Sequence, residues 1–126
     1  MSFHSKATQL VTKLIRFTNE NKIQWDIKDP PSSITRGTDD IVPIYFEAKY
    51  KEKYVAIYQQ RYQSFYPENE SFYWSERIVF AVLDAQDRVL WECADHSPAL
   101  IDLMNTVREK SAGIDNLLDD LLDDEI

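Results

Sequence analysis

Glycine is nearly missing: the 126 residues hold two, Gly37 and Gly113. No Gly-rich loop exists to cradle a phosphate, which excludes the P-loop and the dinucleotide-binding fingerprint. Cysteine is rarer still, and the single Cys93 excludes an internal disulfide. Two histidines, His4 and His96, with that one thiol do not supply the paired ligands of a zinc site. No apolar run approaches the ~18 residues of a membrane span, and no charged segment followed by an apolar one opens the chain. These absences predict a cytoplasmic protein with no membrane partner, no cofactor and no metal.

Basic residues are short in one half only. Residues 1–66 carry ten Lys/Arg against seven Asp/Glu, whereas residues 67–126 carry four against fifteen, for a net charge of −8. Such a balance repels phosphates and argues against a nucleic-acid partner. It leaves basic proteins open as partners. At this length the chain fits one domain, 1–126, large enough to bury a core without staples.

Tyrosine is what the chain has in a pattern. Tyr50, Tyr54, Tyr58, Tyr62 and Tyr66 stand four apart. On a strand, faces repeat every second residue, so that spacing keeps them on one side. On a helix the row would smear over roughly 160°. Val55, Ile57 and Phe65 fall on the opposite face, and the stretch is rich in aromatic and β-branched side chains. The pattern predicts a long two-sided strand.

Around it the remaining elements fall into place. Ala7, Leu10, Val11, Leu14, Ile15 and Phe17 recur at helical spacing, predicting a helix over 4–21 with Ser5 as N-cap and Asn19 and Asn21 at its exit. Residues 23–27 alternate as a short strand, and 29–38 are a loop by composition, with Pro30 and Pro31 inside it. Four strands follow at 41–50, 53–66, 71–83 and 88–93, joined by turns too short for anything but antiparallel neighbours. Ser97 and Pro98 start a helix that Gly113 ends. Leu117, Leu118, Leu121 and Leu122 then mark a short amphipathic helix with an aspartate-rich back. Its regular spacing predicts a helix docked by its leucines; the alternative is an acidic tail, 115–126, that docks on a partner. The expected fold is α+β: N-terminal and C-terminal helices packed on a mostly antiparallel five-stranded meander with a long central hairpin.

Two clusters carry possible chemistry. Glu47 and Lys49 lie two apart on one strand and point the same way, which resembles the metal-dependent nucleases of the PD-(D/E)xK kind, as does the opening order of a helix and then strands. That resemblance implies an acid holding a divalent ion and a lysine placing the attacking water. It also needs an upstream acid, for which Asp26 is the candidate, twenty-one residues earlier. Cys93, Asp95 and His96 lie close in sequence, but nothing shows a shared pocket; Cys93 reads as a buried thiol beside a capping turn.

The reading that composition favours is a non-enzymatic interaction protein. Tyr58, Tyr62, Phe65, Tyr66, Phe72, Tyr73 and Trp74 form its aromatic binding surface, with Leu118, Asp119 and Asp120 of the acidic end. A small acidic protein is compatible with an inhibitor or immunity-like role covering a basic site. A nuclease-like enzyme and a small-molecule binder with an aromatic pocket are the alternatives. The two strands hold more aromatic surface than one helical layer covers, so a homodimer through the hairpin is expected.

Overall fold

The computed structural model describes residues 5–95, 97–111 and 113–124. His4, His96, Glu125 and Ile126 therefore lie outside the described residues. The architecture is α+β, with helices on a five-stranded antiparallel meander in the order β1-β2-β3-β4-β5. Among the described residues no helix is long and apolar enough to cross a membrane.

Helix α1 (Ser5–Asn19) buries Ala7, Val11, Leu14 and Thr18. Its exit uses Asn21 in the left-handed region (φ 59°). The Lys22 N–H reaches back to the Phe17 carbonyl (2.9 Å) and the Asn21 N–H to the Thr18 carbonyl (3.2 Å), which satisfies the last orphan carbonyls. Strand β1 is only Asp26–Ile27, shorter than the alternation of 23–27 predicts. Ile23 and Trp25 are buried in irregular backbone instead. The Trp25 indole N–H donates to the Thr18 hydroxyl (3.0 Å), which donates to the Leu14 carbonyl (2.6 Å), so packing against α1 overrides strand pairing there. The expected loop at 29–38 contains one helical turn, α2 (Ser32–Thr35), entered from the extended backbone of Pro31.

Strands β2 (Ile41–Tyr50), β3 (Lys53–Tyr66), β4 (Ser71–Leu83) and β5 (Val89–Asp95) form the rest of the sheet. The β3–β4 register runs unbroken from Tyr54 opposite Leu83 to Tyr66 opposite Ser71, as a turn at 67–70 requires. Helix α3 (Pro98–Ser111) begins with the Leu100 N–H on the Ser97 hydroxyl (3.3 Å), the N-cap read from sequence. Gly113 adopts φ 56°, the left-handed geometry expected of it, and α4 (Ile114–Leu122) follows.

Scarce glycine has a visible consequence. Asn21, Lys51, Glu52, Glu70 and Asp87 all take positive φ where turns demand it. The Lys51–Glu52 pair does so at both central positions of the tight β2–β3 hairpin, a place that favours Asn-Gly.

The sheet is covered on both faces. On one, Val11, Leu14, Leu100, Leu103, Met104 and Val107 of α1 and α3 pack on Phe46, Val55, Ile57 and Phe80. On the other, Tyr45, Ala56, Tyr58, Val79, Ala81 and Leu83 form a second cluster under Ile34 of α2. The α2 segment is tied across this face: the Ser33 hydroxyl donates to the Asp87 carbonyl (2.5 Å), and Gln60 donates to Asp40 (3.1 Å). Tyr50 departs from the five-tyrosine row. It ends β2, packs on the helix side and meets Phe17 edge-on at 6.3 Å, because the turn at Lys51–Glu52 separates it from the row.

Candidate interaction surface

Neighbouring strands stop before the central hairpin does. β2 accompanies β3 no further than Ile41 opposite Arg61, and β5 accompanies β4 no further than Asp95 opposite Ile78. Five cross-strand pairs, from Tyr62/Ser75 to Tyr66/Ser71, form a two-stranded ribbon beyond them. At about 3.3 Å per residue it extends roughly 15 Å before the turn. A two-stranded ribbon is marginal by itself.

Alternation along the ribbon arms both faces with rings. Phe65, Phe72 and Trp74 lie on the helix-side face; Tyr62, Tyr66 and Tyr73 lie on the other. Phe65 packs against Phe72 across the strands with tilted rings (centroids 5.2 Å), and Tyr66 meets Tyr73 edge-on (6.5 Å). The Arg77 guanidinium sits 4.6 Å from the Tyr62 ring centre and donates to the Gln60 side chain (2.7 Å), which ties the ribbon to the body. Such pairs give each about 0.2–1 kcal/mol, enough to order the ribbon but not to cover it. Phe65, Tyr66, Phe72, Tyr73 and Trp74 remain 43–66% exposed. At the foot of the ribbon Ile41, Arg61, Trp74 and Glu76 line a recess of about 460 Å³, with Arg61 and Glu76 paired at 2.6 Å.

Tyr58 is the correction on this surface. Sequence reading places it among the binding rings, but it is 1% exposed, under α2 and beside Tyr45 (5.5 Å). The spacing of four gives the correct face; it does not reveal that Ile34 of α2, with Val42 and Val89, packs against the inner half of that face.

α4 carries a second unpartnered surface. None of its residues is buried, and Leu117, Leu118, Leu121 and Leu122 are 44–77% exposed. The helix forms as expected but is not docked by its leucines, because α1 and α3 already close the helix-side core. Asp119 and Asp120 lie on its exposed back near the negative end of the helix dipole, and Asp115 and Asp119 stand one turn apart. Nine residues with such charges make a weak helix in isolation.

The Glu47 cluster is engaged internally. Asp26 lies directly opposite Glu47, so Asp26, Glu47 and Lys49 do share a face. Glu47 is 7% exposed and accepts from the Tyr45 hydroxyl (2.8 Å) and the Lys28 ammonium (3.0 Å). That hydrogen bond, outweighing desolvation, holds Lys28 above the usual lysine value. Burial first, then Glu47, pushes the Tyr45 hydroxyl far above the usual tyrosine value; burial and the charge of Glu92 do the same to Tyr58. Among the described residues no three His, Cys, Asp or Glu side chains are grouped to hold a metal ion. Cys93 is half-buried against the helix-side core, away from this face, and its imagined partner His96 lies outside the described residues.

Sequence reasoning missed Leu90 and Trp91. Both are exposed on edge strand β5, where Trp91 joins Lys6, Ala7 and Leu10 in a groove of about 260 Å³. Ile41 was missed for want of any periodic signal. Comparison of the chain with family models, curated proteins and solved structures finds no match in any of the three.

Proposed function

We propose that this protein is a non-enzymatic interaction module whose principal contact element is the ribbon of residues 62–75. The observation that supports this most is the exposure of five rings on two strands that extend beyond their flanking strands. Exposed aromatics on a projecting arm are the side chains that dominate protein–protein contacts. The simplest partner is a second copy, joined about a two-fold axis that covers the same rings on both chains. Five half-exposed rings of 150–250 Å² each offer about 400–600 Å² per copy. The rings lie on both faces of the ribbon, so a contact between two copies covers only part of that surface, the range of a weak, concentration-dependent dimer.

The stripe of α4 is the second contact element. Its leucines with Asp119 and Asp120 behind them suit an apolar groove with a basic rim, the chemistry of a basic target protein. An enzymatic reading draws less support, since the Glu47 carboxylate that would hold an ion is occupied by Lys28 and Tyr45.

Sedimentation equilibrium tests the proposal. A dimer is expected at ~100 μM, a concentration that reveals even micromolar affinity. Phe72→Ala or Trp74→Ala weakens it by ~2 kcal/mol or more if either ring is a hot spot. A monomer at that concentration refutes self-association, and a dimer indifferent to both changes moves the contact off the ribbon.

A further inference from the structure

We infer that two copies join through the outer edge of β4 over Ser71–Arg77, strand to antiparallel strand, with Trp74 on the two-fold axis. The inference rests on the ribbon being the contact element and goes on to say how it pairs. From Ser71 to Arg77 no strand among the described residues lies on the outer side of β4, because β5 first pairs at Ile78. Strands with unpaired N–H and C=O groups invite another chain unless proline, lysine, a bulge or shortness blunts them. Elsewhere this sheet uses those devices: β1 is two residues long, and β2 carries Pro43 inside a register shift between Ile41 and Ile44. Ser71–Arg77 has no proline, lysine or bulge, and its two charges stand together at one end, Glu76 paired with Arg61 and Arg77 bonded to Gln60 of its own ribbon. The free edge of β3 is shorter, Tyr62–Tyr66, and three of the five most exposed ribbon rings belong to β4.

The register follows from what each alternative would oppose. An antiparallel two-fold centred on Trp74 uses all seven free positions, pairing Ser71 with Arg77, Phe72 with Glu76 and Tyr73 with Ser75 of the other copy. Trp74 then faces its own counterpart and touches the other Phe72 diagonally, on one face of the joint sheet. Centring one residue earlier sets Glu76 against Glu70 of the other copy, a like-charge pair. Centring one residue later runs the incoming strand into Ile78, which β5 already occupies. The partner strand thus lies in line with the end of β5, and the two ribbons merge into one four-stranded sheet.

Crosslinking of full-length variants with a short thiol-specific bismaleimide reads the edge directly. Wild type, with half-buried Cys93, sets the background. Ser75→Cys is expected to give a crosslinked dimer, since in this register it lies diagonally across from its own counterpart, about 7–8 Å away. Ser64→Cys is expected to stay at background, being separated from its counterpart by three strand spacings, about 14 Å. Trp74→Lys, which sets two ammonium groups face to face, is expected to leave only monomer by light scattering, with wild-type circular dichroism. Crosslinking at Ser64→Cys, in a dimer still dissociated by Phe72→Ala, overturns this edge and leaves the ribbon as contact element. A dimer that neither Phe72→Ala nor Trp74→Lys weakens overturns both.

Discussion

The inner and outer halves of the same hairpin obey one alternation and meet opposite fates. In the inner half, Ile57 and Phe80 are sealed under α1 and α3, while Tyr58 and Val79 are sealed under α2. In the outer half, Phe65 and Phe72, or Tyr66 and Tyr73, continue the same two faces into solvent. The strands do not change character at the boundary; their neighbours end. Period-two patterning thus fixes which side a residue points to, whereas burial depends on how far the flanking strands and covering segments reach.

Substitutions on the two halves should separate most widely in stability. Phe80→Ala, which empties a fully buried site, is expected to cost about 3–5 kcal/mol in urea unfolding. Phe72→Ala on the ribbon is expected to cost under about 1 kcal/mol in the dilute monomer, within the range for exposed cross-strand pairs. Comparable losses at both positions would mean that the ribbon is packed like core, and the contrast would collapse.

Alkaline pH should act through the inner half. Folding raises the pKa of Tyr45 and Tyr58 above the ordinary 10.0, and that of Lys28 above 10.5. Groups raised on folding stabilise fully below their unfolded values and lose that contribution as pH climbs past them. Stability is therefore expected to be flat toward pH 10 and to fall beyond it, with tyrosinate absorbance at these two positions appearing together with unfolding. A Tyr45→Phe, Tyr58→Phe double variant should show a shallower alkaline fall; an unchanged slope would assign the pH dependence elsewhere. At neutral pH Tyr45→Phe alone removes one hydrogen bond to Glu47 and is expected to cost about 1 kcal/mol.

The smallest effect concerns the turn at the inner end. Lys51 and Glu52 both hold positive φ, so Lys51→Asn with Glu52→Gly is expected to stabilise by roughly 0.5–1 kcal/mol, read as a rise in the urea midpoint. Destabilisation would show that these two side chains contribute more than their backbone strain costs.

Much of this fold is legible in the residues because its signals are local. The tyrosine spacing, the short joins, Ser97-Pro98 and Gly113 each act within a few positions, and the meander follows from them. What the sequence hides is non-local. Pro30 and Pro31 announce irregular chain, but nothing near them says that Ile34 will pack against the cluster that holds Tyr58. The exposed stripe of α4 looks in sequence like a docked helix, since a leucine pattern is the same whether or not a partner surface remains free.

Amide hydrogen exchange at low and high protein concentration tests the central claim most directly. In dilute solution the amides of 62–66 and 71–77 are expected to exchange far faster than those of 54–60 and 79–83. At high concentration those of 71–77 should slow while the inner half stays unchanged. Outer amides as protected as inner ones in dilute solution, or outer amides indifferent to concentration, would contradict the account.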